Sequence, residues 1–342
     1  MSLKMLLFDY KDAEKEFFKK NKFEDFEIIF YETSLNEVTV ENLPQADKDD
    51  AVIISVFITS SINEKVLSQF KNLHILTTRS TGYDHINIKD CCHRNIKVFN
   101  VDNYGSYSVV QYAFGLILTL LRKIITANKD IKNLKYESNH YLGRELNELT
   151  LGIVGTGAIG AGMCSVAKSF NMKILAFDVK ENQKLVTDYG IKYTTKDELI
   201  EQSDIISLHA PLNEFTRNFI TKREFSIMKP NAILINTSRG ELVKTEDLYN
   251  ALTNKIIAGA GLDVIECEEL TFSMGNIFEK MEYINKECIL KALLLRQLSQ
   301  LDNVIITPHI AYETKDSIER ILKITFNSIK NSLKGEHTNQ VN

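Results

Sequence analysis

The sequence lacks the features that would place it in several specialised classes of protein. Its longest apolar run, residues 113–121, is interrupted by a threonine and is far shorter than the roughly 20 residues of a membrane-spanning helix. The net charge of −4 provides no broad basic surface for nucleic acid or anionic lipid. The N-terminal residues become acidic too soon for a signal peptide, and the chain has no low-complexity tract.

Cysteine is also scarce and shows no recognisable spacing. The five cysteines are odd in number and form no C-x-x-C pair, which argues against a zinc site and against a disulfide framework. We therefore expect five free thiols in a cytoplasmic protein, and we expect no metal. The cysteines are Cys91, Cys92, Cys164, Cys267 and Cys288.

What the chain does contain is the composition of an ordinary globular protein. Of its 342 residues, 44% are hydrophobic and 25% are charged, and this length suggests two domains. In the first part of the chain, short apolar strands alternate with helical segments, which is typical of a parallel α/β sheet. The predicted strands are 5–9, 26–31, 51–57, 73–78 and 97–101.

The stretch at residues 151–179 carries the most informative motif. It reads as a strand, a helix and a second strand, and Gly155, Gly157 and Gly160 form the pattern G-x-G-x-x-G at its first turn. Such a turn binds a pyrophosphate at the helix N-terminus, and an acid after the second strand accepts the ribose 2′-hydroxyl. Asp178 occupies that position. The motif predicts dinucleotide binding; the alternatives are a glycine-rich turn without a ligand and a related fold for S-adenosylmethionine.

The second part of the chain continues as a nucleotide-binding sheet. Four more short apolar runs follow the glycine motif, at residues 205–208, 232–236, 259–264 and 304–307. Together with the first two strands they predict a six-stranded sheet. The segment between the last two runs is unusually long for one connection, and its end reads as an apolar helix over residues 288–301.

The two ends of the chain are predicted to belong to one domain. An apolar helix over residues 107–123 joins the first domain to the second, and an amphipathic helix over residues 315–334 has no strand after it and needs a sheet to cover. The simplest arrangement returns this last helix to the first domain. We therefore predict an α/β protein with two doubly wound parallel-sheet domains, a substrate domain of residues 1–103 and 309–342 and a nucleotide domain of residues 104–308.

Three polar residues stand after apolar strands of the second domain, namely Arg239, Glu268 and His309. The carboxyl ends of parallel strands share one edge of a sheet, so these side chains are expected to gather near the dinucleotide. A guanidinium binds a carboxylate through two hydrogen bonds, an imidazole exchanges a hydroxyl proton, and a carboxylate beside the imidazole fixes its tautomer. This set suits the oxidation of a 2-hydroxy acid. The loop at residues 79–84 is either an anion-binding nest or an ordinary turn.

These motifs make the chain resemble the D-isomer-specific 2-hydroxyacid dehydrogenase family over nearly its whole length. The matching segments are RSTGYDHI at 79–86, VGTGAIG at 154–160, HAPLNEFT at 209–216, LINTSRGELV at 234–243, GAGLDV at 259–264 and ITPHIAYET at 306–314. The resemblance implies a Rossmann NAD-binding domain inserted into a flavodoxin-like substrate domain. It also implies a homodimer formed through the NAD-binding domain, with residues 107–123 in the interface.

The resemblance assigns roles to individual residues of this sequence. Arg239, Glu268 and His309 fall on the family's catalytic positions. Thr81 and Gly82 would bind the substrate carboxylate through backbone N–H groups, and Phe57, Tyr104 and Tyr312 would wall a small substrate pocket. The cofactor contacts implied are Gly155, Thr156, Gly157, Ala158, Ile159, Gly160, Asp178, His209, Ala210, Pro211, Thr237, Ser238 and Asp263. Asp178 would repel a 2′-phosphate, so the expected cofactor is NAD.

Within the family, the sequence is most similar to the D-lactate dehydrogenase branch, which includes enzymes of vancomycin-resistance operons. The loop RSTGYDHI, the aromatic Tyr312 and the long separation of Glu268 from His309 support this. Phe57 replaces a tyrosine that is common in lactate enzymes. The expected reaction is the reduction of pyruvate. The alternatives are an acid of hydroxyisocaproate, glycerate or phosphonate type, and a co-repressor-like protein that binds NAD without turnover.

Overall fold

The computed structural model describes residues 2–102, 105–135, 140–272 and 286–342. The chain divides into two compact units. The first consists of Met1–Tyr104 and Glu313–Asn342, and the second of Gly105–Tyr312. The first unit is therefore discontinuous, as predicted for a domain that receives an insertion.

The first unit is built on a five-stranded parallel sheet with the strand order β2-β1-β3-β4-β5. Its strands are β1 (Leu3–Leu7), β2 (Phe26–Phe30), β3 (Ile53–Val56), β4 (Ile75–Thr78) and β5 (Lys97–Phe99). Its helices are α1 (Lys15–Lys20), α2 (Gln45–Asp50), α3 (Glu64–Leu67) and α4 (Ile88–His93), with 3-10 turns at Asp12–Glu14 and Val40–Asn42. A long C-terminal helix at Lys315–Leu333 completes the unit.

This C-terminal helix covers one face of the first sheet. Its apolar residues recur at helical spacing, and Ile318, Leu322 and Phe326 share a buried cluster with Met5 and Leu7 of β1. Burial of such a stripe against a sheet provides the main stabilisation of an amphipathic helix. The last helix of the chain therefore packs on the domain in which the chain begins, as the sequence predicted.

The second unit is built on a seven-stranded parallel sheet with the strand order β12-β11-β10-β9-β6-β7-β8. Its strands are β6 (Thr150–Val154), β7 (Lys173–Phe177), β8 (Lys192–Tyr193), β9 (Ile205–Leu208), β10 (Ile233–Asn236), β11 (Gly259–Leu262) and β12 (Val304–Ile306). Its helices are α5 (Ser106–Leu121), α6 (Ile124–Lys132), α7 (Ala158–Ser169), α8 (Gln183–Tyr189), α9 (Lys196–Gln202), α10 (Lys222–Ile227), α11 (Thr245–Thr253), α12 (Glu268–Phe272) and α13 (Lys286–Leu298), and its 3-10 turns are Leu146–Glu148 and Gly240–Leu242. The C-terminal helix of the first unit is α14.

Two details of the second unit differ from the sequence prediction. The sheet has seven strands rather than six, because the two residues of β8 pair with β7 at the edge. A two-residue strand is too short to show an alternating pattern in the sequence.

In addition, residues 309–312 belong to the second unit, because the backbone N–H groups of Ile310 and Ala311 donate to the carboxylate of Asp263.

Apolar helices of the second unit are short for a membrane. Among the described residues, no single helix has both the length and the apolar composition needed to cross a bilayer. Helices α5 and α6 have that length and composition only when they are taken together, and the chain bends by 60° between them.

The expectation of five free thiols is wrong, because Cys267 and Cys288 form a disulfide with a Cα–Cα distance of 5.6 Å. The two cysteines are far apart in sequence, and the packing of α12 against α13 brings them together. The disulfide also removes the argument from free thiols for a cytoplasmic location. Of the three remaining thiols, Cys92 is exposed, whereas Cys91 and Cys164 are buried. Burial raises the pKa of each of these two thiols to about 12.

Thiol titration tests this assignment. Without reductant, the native protein should react with one equivalent of an aromatic disulfide reagent at Cys92, because the other two free thiols are buried. Unfolding should raise the count to three, and reduction before unfolding should raise it to five. Five reactive thiols in the unfolded, unreduced protein would contradict the disulfide.

Candidate active site

The glycine turn between β6 and α7 has a geometry that other residues would disturb. Gly155 has a φ of +90°, in the region that favours glycine, and a Cβ there would lie 2.8 Å from the carbonyl of His209. A Cβ on Gly160 would lie 2.0 Å from the carbonyl oxygen of Gly155. Because of these close contacts, helix α7 begins directly after the glycine turn. Its backbone N–H groups have no acceptors within the helix and form a site for an anion.

Asp178 stands at the carboxyl end of β7 beside this turn. Its carboxylate accepts hydrogen bonds from the backbone and hydroxyl of Thr156, at 2.6 and 2.9 Å, and from the backbone N–H of Lys180, at 3.0 Å. Burial alone would raise the pKa of Asp178, but these hydrogen bonds lower it below its ordinary value. The group is therefore a carboxylate at neutral pH. Tyr193 of β8, which sequence reasoning missed, donates its hydroxyl to Thr156 at 2.9 Å.

Two polar atoms near the same edge of the sheet are buried and lack a partner among the described residues. They are Nδ1 of His209, after β9, and Oγ1 of Thr237, after β10. The other ring nitrogen of His209, Nε2, lies 2.8 Å from the hydroxyl of Ser207. Burial lowers the pKa of His209 to about 3, so its ring is neutral in the physiological range. A ligand with polar groups at this edge would satisfy both atoms, so these residues fit a bound dinucleotide.

The loops after β9 and β10 are joined to each other. The hydroxyl of Ser238 donates to the carbonyl of Ala210. Asn236, at the end of β10, shapes the second loop, because its side chain donates to the carbonyl of Arg239 at 2.8 Å and accepts from the N–H of Ser238 at 3.1 Å. Pro211 follows Ala210 on the exposed side of its loop. Asn236 was not expected from the sequence, where it reads only as the end of an apolar strand.

Asp263 holds the loop that carries His309. It is fully buried, and its carboxylate accepts from the hydroxyl of Thr307 at 2.6 Å, the N–H of Ile310 at 3.0 Å and the N–H of Ala311 at 2.7 Å. The N–H of His309 also donates to the carbonyl of Asp263, at 2.9 Å. His309 has a φ of +55°, which costs on the order of 1–3 kcal/mol for a residue with a side chain. The contacts of Asp263 hold the loop in this conformation.

His309 and Glu268 form the central pair of the site. Nδ1 of His309 lies 2.8 Å from Oε2 of Glu268, and the second oxygen of Glu268 accepts from the N–H of Ile265 at 3.2 Å. A carboxylate can only accept here, so the pair places a proton on Nδ1 and leaves Nε2 to exchange a proton with a ligand. The side chains are 19% and 28% exposed, which keeps both within reach of a small ligand.

Arg239 is placed next to the turn that carries Glu268. It precedes the 3-10 turn Gly240–Leu242, and a Cβ on Gly240 would lie 2.0 Å from the carbonyl carbon of Ile265. This contact of backbone with backbone explains the glycine after Arg239. It brings the loop after β10 against the turn at residues 264–268. The structure thus gathers Arg239, Glu268 and His309 at one edge of the second sheet.

Two tyrosines lie near the loop that carries His309. The ring of Tyr312 is buried and meets the imidazole edge to face, with 6.3 Å between the ring centres. Tyr112 of α5, which sequence reasoning missed, has its hydroxyl near the side chain of Thr307, beside the network that begins at Asp263. In the sequence, Tyr112 is one of several large residues in a predicted apolar helix and carries no signal of its own.

The predicted substrate residues of the first unit lie at the carboxyl ends of its strands. The hydroxyl of Thr81 donates to the carbonyl of Val101 at 2.8 Å, while no described hydrogen bond uses the backbone N–H of Thr81 or Gly82 as its donor. Phe57 is buried after β3, with the guanidinium of Arg79 5.9 Å from its ring centre. Tyr104 lies outside the described residues.

The second unit therefore combines three chemical capacities on one sheet edge. The glycine turn with Asp178 suits a dinucleotide, Arg239 suits a carboxylate, and the pair of His309 and Glu268 suits proton exchange. A metal is not required for any of these, and the described residues contain no group of three or more metal-ligating side chains.

Comparison with known proteins agrees with this combination. Residues 114–311 match the family described as D-isomer specific 2-hydroxyacid dehydrogenase, NAD binding domain. The glyoxylate reductase of Thermococcus litoralis is 33% identical over 84% of this chain and 81% of its own. The hydroxypyruvate reductase of Thermotoga maritima is 32% identical over 83% of this chain and 87% of its own.

The fold is also that of solved structures. The D-lactate dehydrogenase of Aquifex aeolicus, complexed with NAD and lactic acid, has a TM-score of 0.85 and 36% identity, and the match covers 97% of this chain and 96% of that chain. The matched family covers more than half of the chain and includes the glycine turn, Arg239, Glu268 and His309. The protein belongs to the D-isomer-specific 2-hydroxyacid dehydrogenase family, whose cofactor is NAD.

Proposed function

We propose that this protein reduces pyruvate, or a similar small 2-keto acid, to the D-2-hydroxy acid with NADH. The observation that carries the proposal is the pair of His309 and Glu268, 2.8 Å apart, beside the Arg239 loop. A 2-keto acid needs a cation for its carboxylate and a proton donor for its ketone oxygen. The two requirements match the side chains of this edge.

Each residue of the site has its own role in the proposed reaction. NADH supplies the hydride when it is bound at the glycine turn. Arg239 binds the carboxylate and polarises the ketone, which fixes the carbonyl carbon for attack. His309, protonated on both nitrogens, gives the Nε2 proton to the developing alkoxide, and Glu268 stabilises the imidazolium through Nδ1. In the reverse direction, neutral His309 takes the proton of the hydroxyl.

The first unit contributes to substrate binding in this proposal. The N–H groups of Thr81 and Gly82 bind the carboxylate. This is in keeping with a loop in which Thr81 donates its hydroxyl to the carbonyl of Val101 and Ser80 donates its hydroxyl to the carbonyl of Gly82. Phe57 supplies an apolar wall for the substrate's methyl group. Tyr312 supplies a second, on the evidence of its packing against His309.

The choice of pyruvate rests on size and polarity. The related proteins named above are reductases of glyoxylate and hydroxypyruvate and a dehydrogenase crystallised with lactic acid, and all three acids are small. Phe57 has no hydroxyl, so it offers nothing to the hydroxyl of hydroxypyruvate, whereas it suits the methyl group of pyruvate. This favours pyruvate over the more polar acids.

The acid–base role is tested by His309→Gln. Because glutamine cannot give a proton to an alkoxide, kcat for 2-keto acid reduction should fall by about 10²- to 10⁴-fold. NADH binding, followed by its fluorescence, should be unchanged. The matched control is His337→Gln, an exposed histidine of the first unit, which should behave as the wild type. Near-normal turnover by His309→Gln would contradict the acid–base role of His309.

The substrate is tested by kcat/KM over glyoxylate, pyruvate, 2-ketobutyrate, hydroxypyruvate and 2-ketoisocaproate. Pyruvate should lead, and 2-ketoisocaproate should be slower by about 10-fold or more, because its branched chain needs a larger pocket. Phe57→Tyr should raise the ratio of hydroxypyruvate to pyruvate, since one hydrogen bond is worth about 1 kcal/mol. A different leading acid would reject pyruvate. No turnover with any acid, despite NADH binding, would favour a binding protein.

A further inference from the structure

Helix α13 is linked to Glu266 and Cys267, the two consecutive residues that precede Glu268. Nζ of Lys291 lies 2.7 Å from Oε1 of Glu266, and Cys288 forms the disulfide with Cys267. Lys291 and Cys288 are one turn apart on α13, so the same face of the helix makes both links. The residue that follows the two linked positions is Glu268 itself.

The ion pair of Lys291 and Glu266 is buried and connects three elements. The Glu266 side chain is 7% exposed and that of Lys291 is 13% exposed. The second oxygen of Glu266 accepts from the N–H of Thr245 at 3.0 Å, at the start of α11. Burial would lower the pKa of Lys291, but Glu266 and Glu287 raise it, so the ammonium is charged at neutral pH. Removing it would leave the Glu266 carboxylate buried without its cation.

The turn leaves little freedom between these links and the site. Cys267 has a φ of +55°, and its carbonyl accepts from the N–H groups of Leu270 and Thr271, which starts α12. Glu268 is the first residue of that helix. Any rotation of residues 266 and 267 would therefore move the carboxylate of Glu268 relative to His309.

We propose that Lys291 and Cys288 of α13 are positioning residues, which hold the turn at residues 266–267 so that Glu268 meets Nδ1 of His309. The inference rests on the proposed function, because Glu268 matters only if His309 exchanges a proton. Neither residue contacts the reacting atoms. They act through the backbone of the turn.

The first test compares Lys291→Met with Lys291→Arg, which keeps the cation, and with Glu287→Gln, which removes the exposed partner of Lys291. For the keto acid that the wild type reduces fastest, Lys291→Met should lower kcat by about 10- to 100-fold, as small misplacements of catalytic groups do. KM should change little. The pH profile of kcat should also change in Lys291→Met and stay that of the wild type in Lys291→Arg, because only the first variant displaces the carboxylate that faces Nδ1 of His309.

A second readout does not depend on turnover. In protein labelled with ¹⁵N-histidine, the Nδ1–H of His309 bonded to Glu268 should give a slowly exchanging, downfield proton signal, assigned by its loss in His309→Gln. That signal should weaken or shift in Lys291→Met and persist in Lys291→Arg and Glu287→Gln. If Lys291→Met does not fold, Glu266→Gln tests the same link with a side chain of equal size.

The disulfide is tested by reduction and by Cys288→Ser. A dithiol reductant supplies two electrons and two protons, the S–S bond becomes the thiols of Cys267 and Cys288, and the reductant becomes a disulfide. Reduced wild type and Cys288→Ser should show the same lower kcat and altered histidine signal. If the folded variants and the reduced enzyme keep the wild-type kcat, pH profile and histidine signal, the positioning role is overturned and the proposed function still stands. A wild type that reduces no keto acid would overturn the proposed function with it.

Discussion

The buried carboxylate of Asp263 is the interaction on which the site of the second unit depends. With three hydrogen bonds from Thr307, Ile310 and Ala311, it fixes both sides of the residue that carries the imidazole. A charge with no exposure is tolerated in a protein only where its acceptor positions are filled, and this loop fills them. His309 is thereby held in a backbone conformation that is unfavourable for it, and its ring is directed at Glu268. Asp263 was expected as a cofactor contact, but its described contacts are those of a loop anchor.

Around this anchor, the loops at the carboxyl edge of the second sheet contact one another closely, mainly through backbone atoms. Gly240 lets the Arg239 loop lie against Ile265, Ser238 joins the loops after β9 and β10, and Gly155 lets the glycine turn lie against His209. Each of these contacts removes the freedom of a loop at its tip, where parallel α/β sheets bind ligands. The chemistry thus depends on side chains, while their placement depends on glycines and on a few buried polar groups.

The sequence predicted the fold class, the family and the cofactor, and these are confirmed. These could be predicted because strand periodicity, the glycine turn and the residues after each strand are local patterns of the sequence. The roles of Arg239, Glu268 and His309 stay predictions, although the structure brings the three together. What the sequence did not reveal depends on contacts between distant residues. The disulfide needs the packing of α12 on α13, the ion pair of Lys291 and Glu266 needs the same packing, and β8 is too short to leave a pattern.

We propose that residues at this edge of the second sheet reduce a 2-keto acid, with a proton from His309 and a hydride from NADH, to the D isomer of the hydroxy acid. The configuration of the product tests it most directly. The keto acid that the enzyme reduces fastest is incubated with NADH, and the hydroxy acid formed is resolved by chiral chromatography. We expect the D isomer alone. The L isomer, or a mixture of the two, would contradict it.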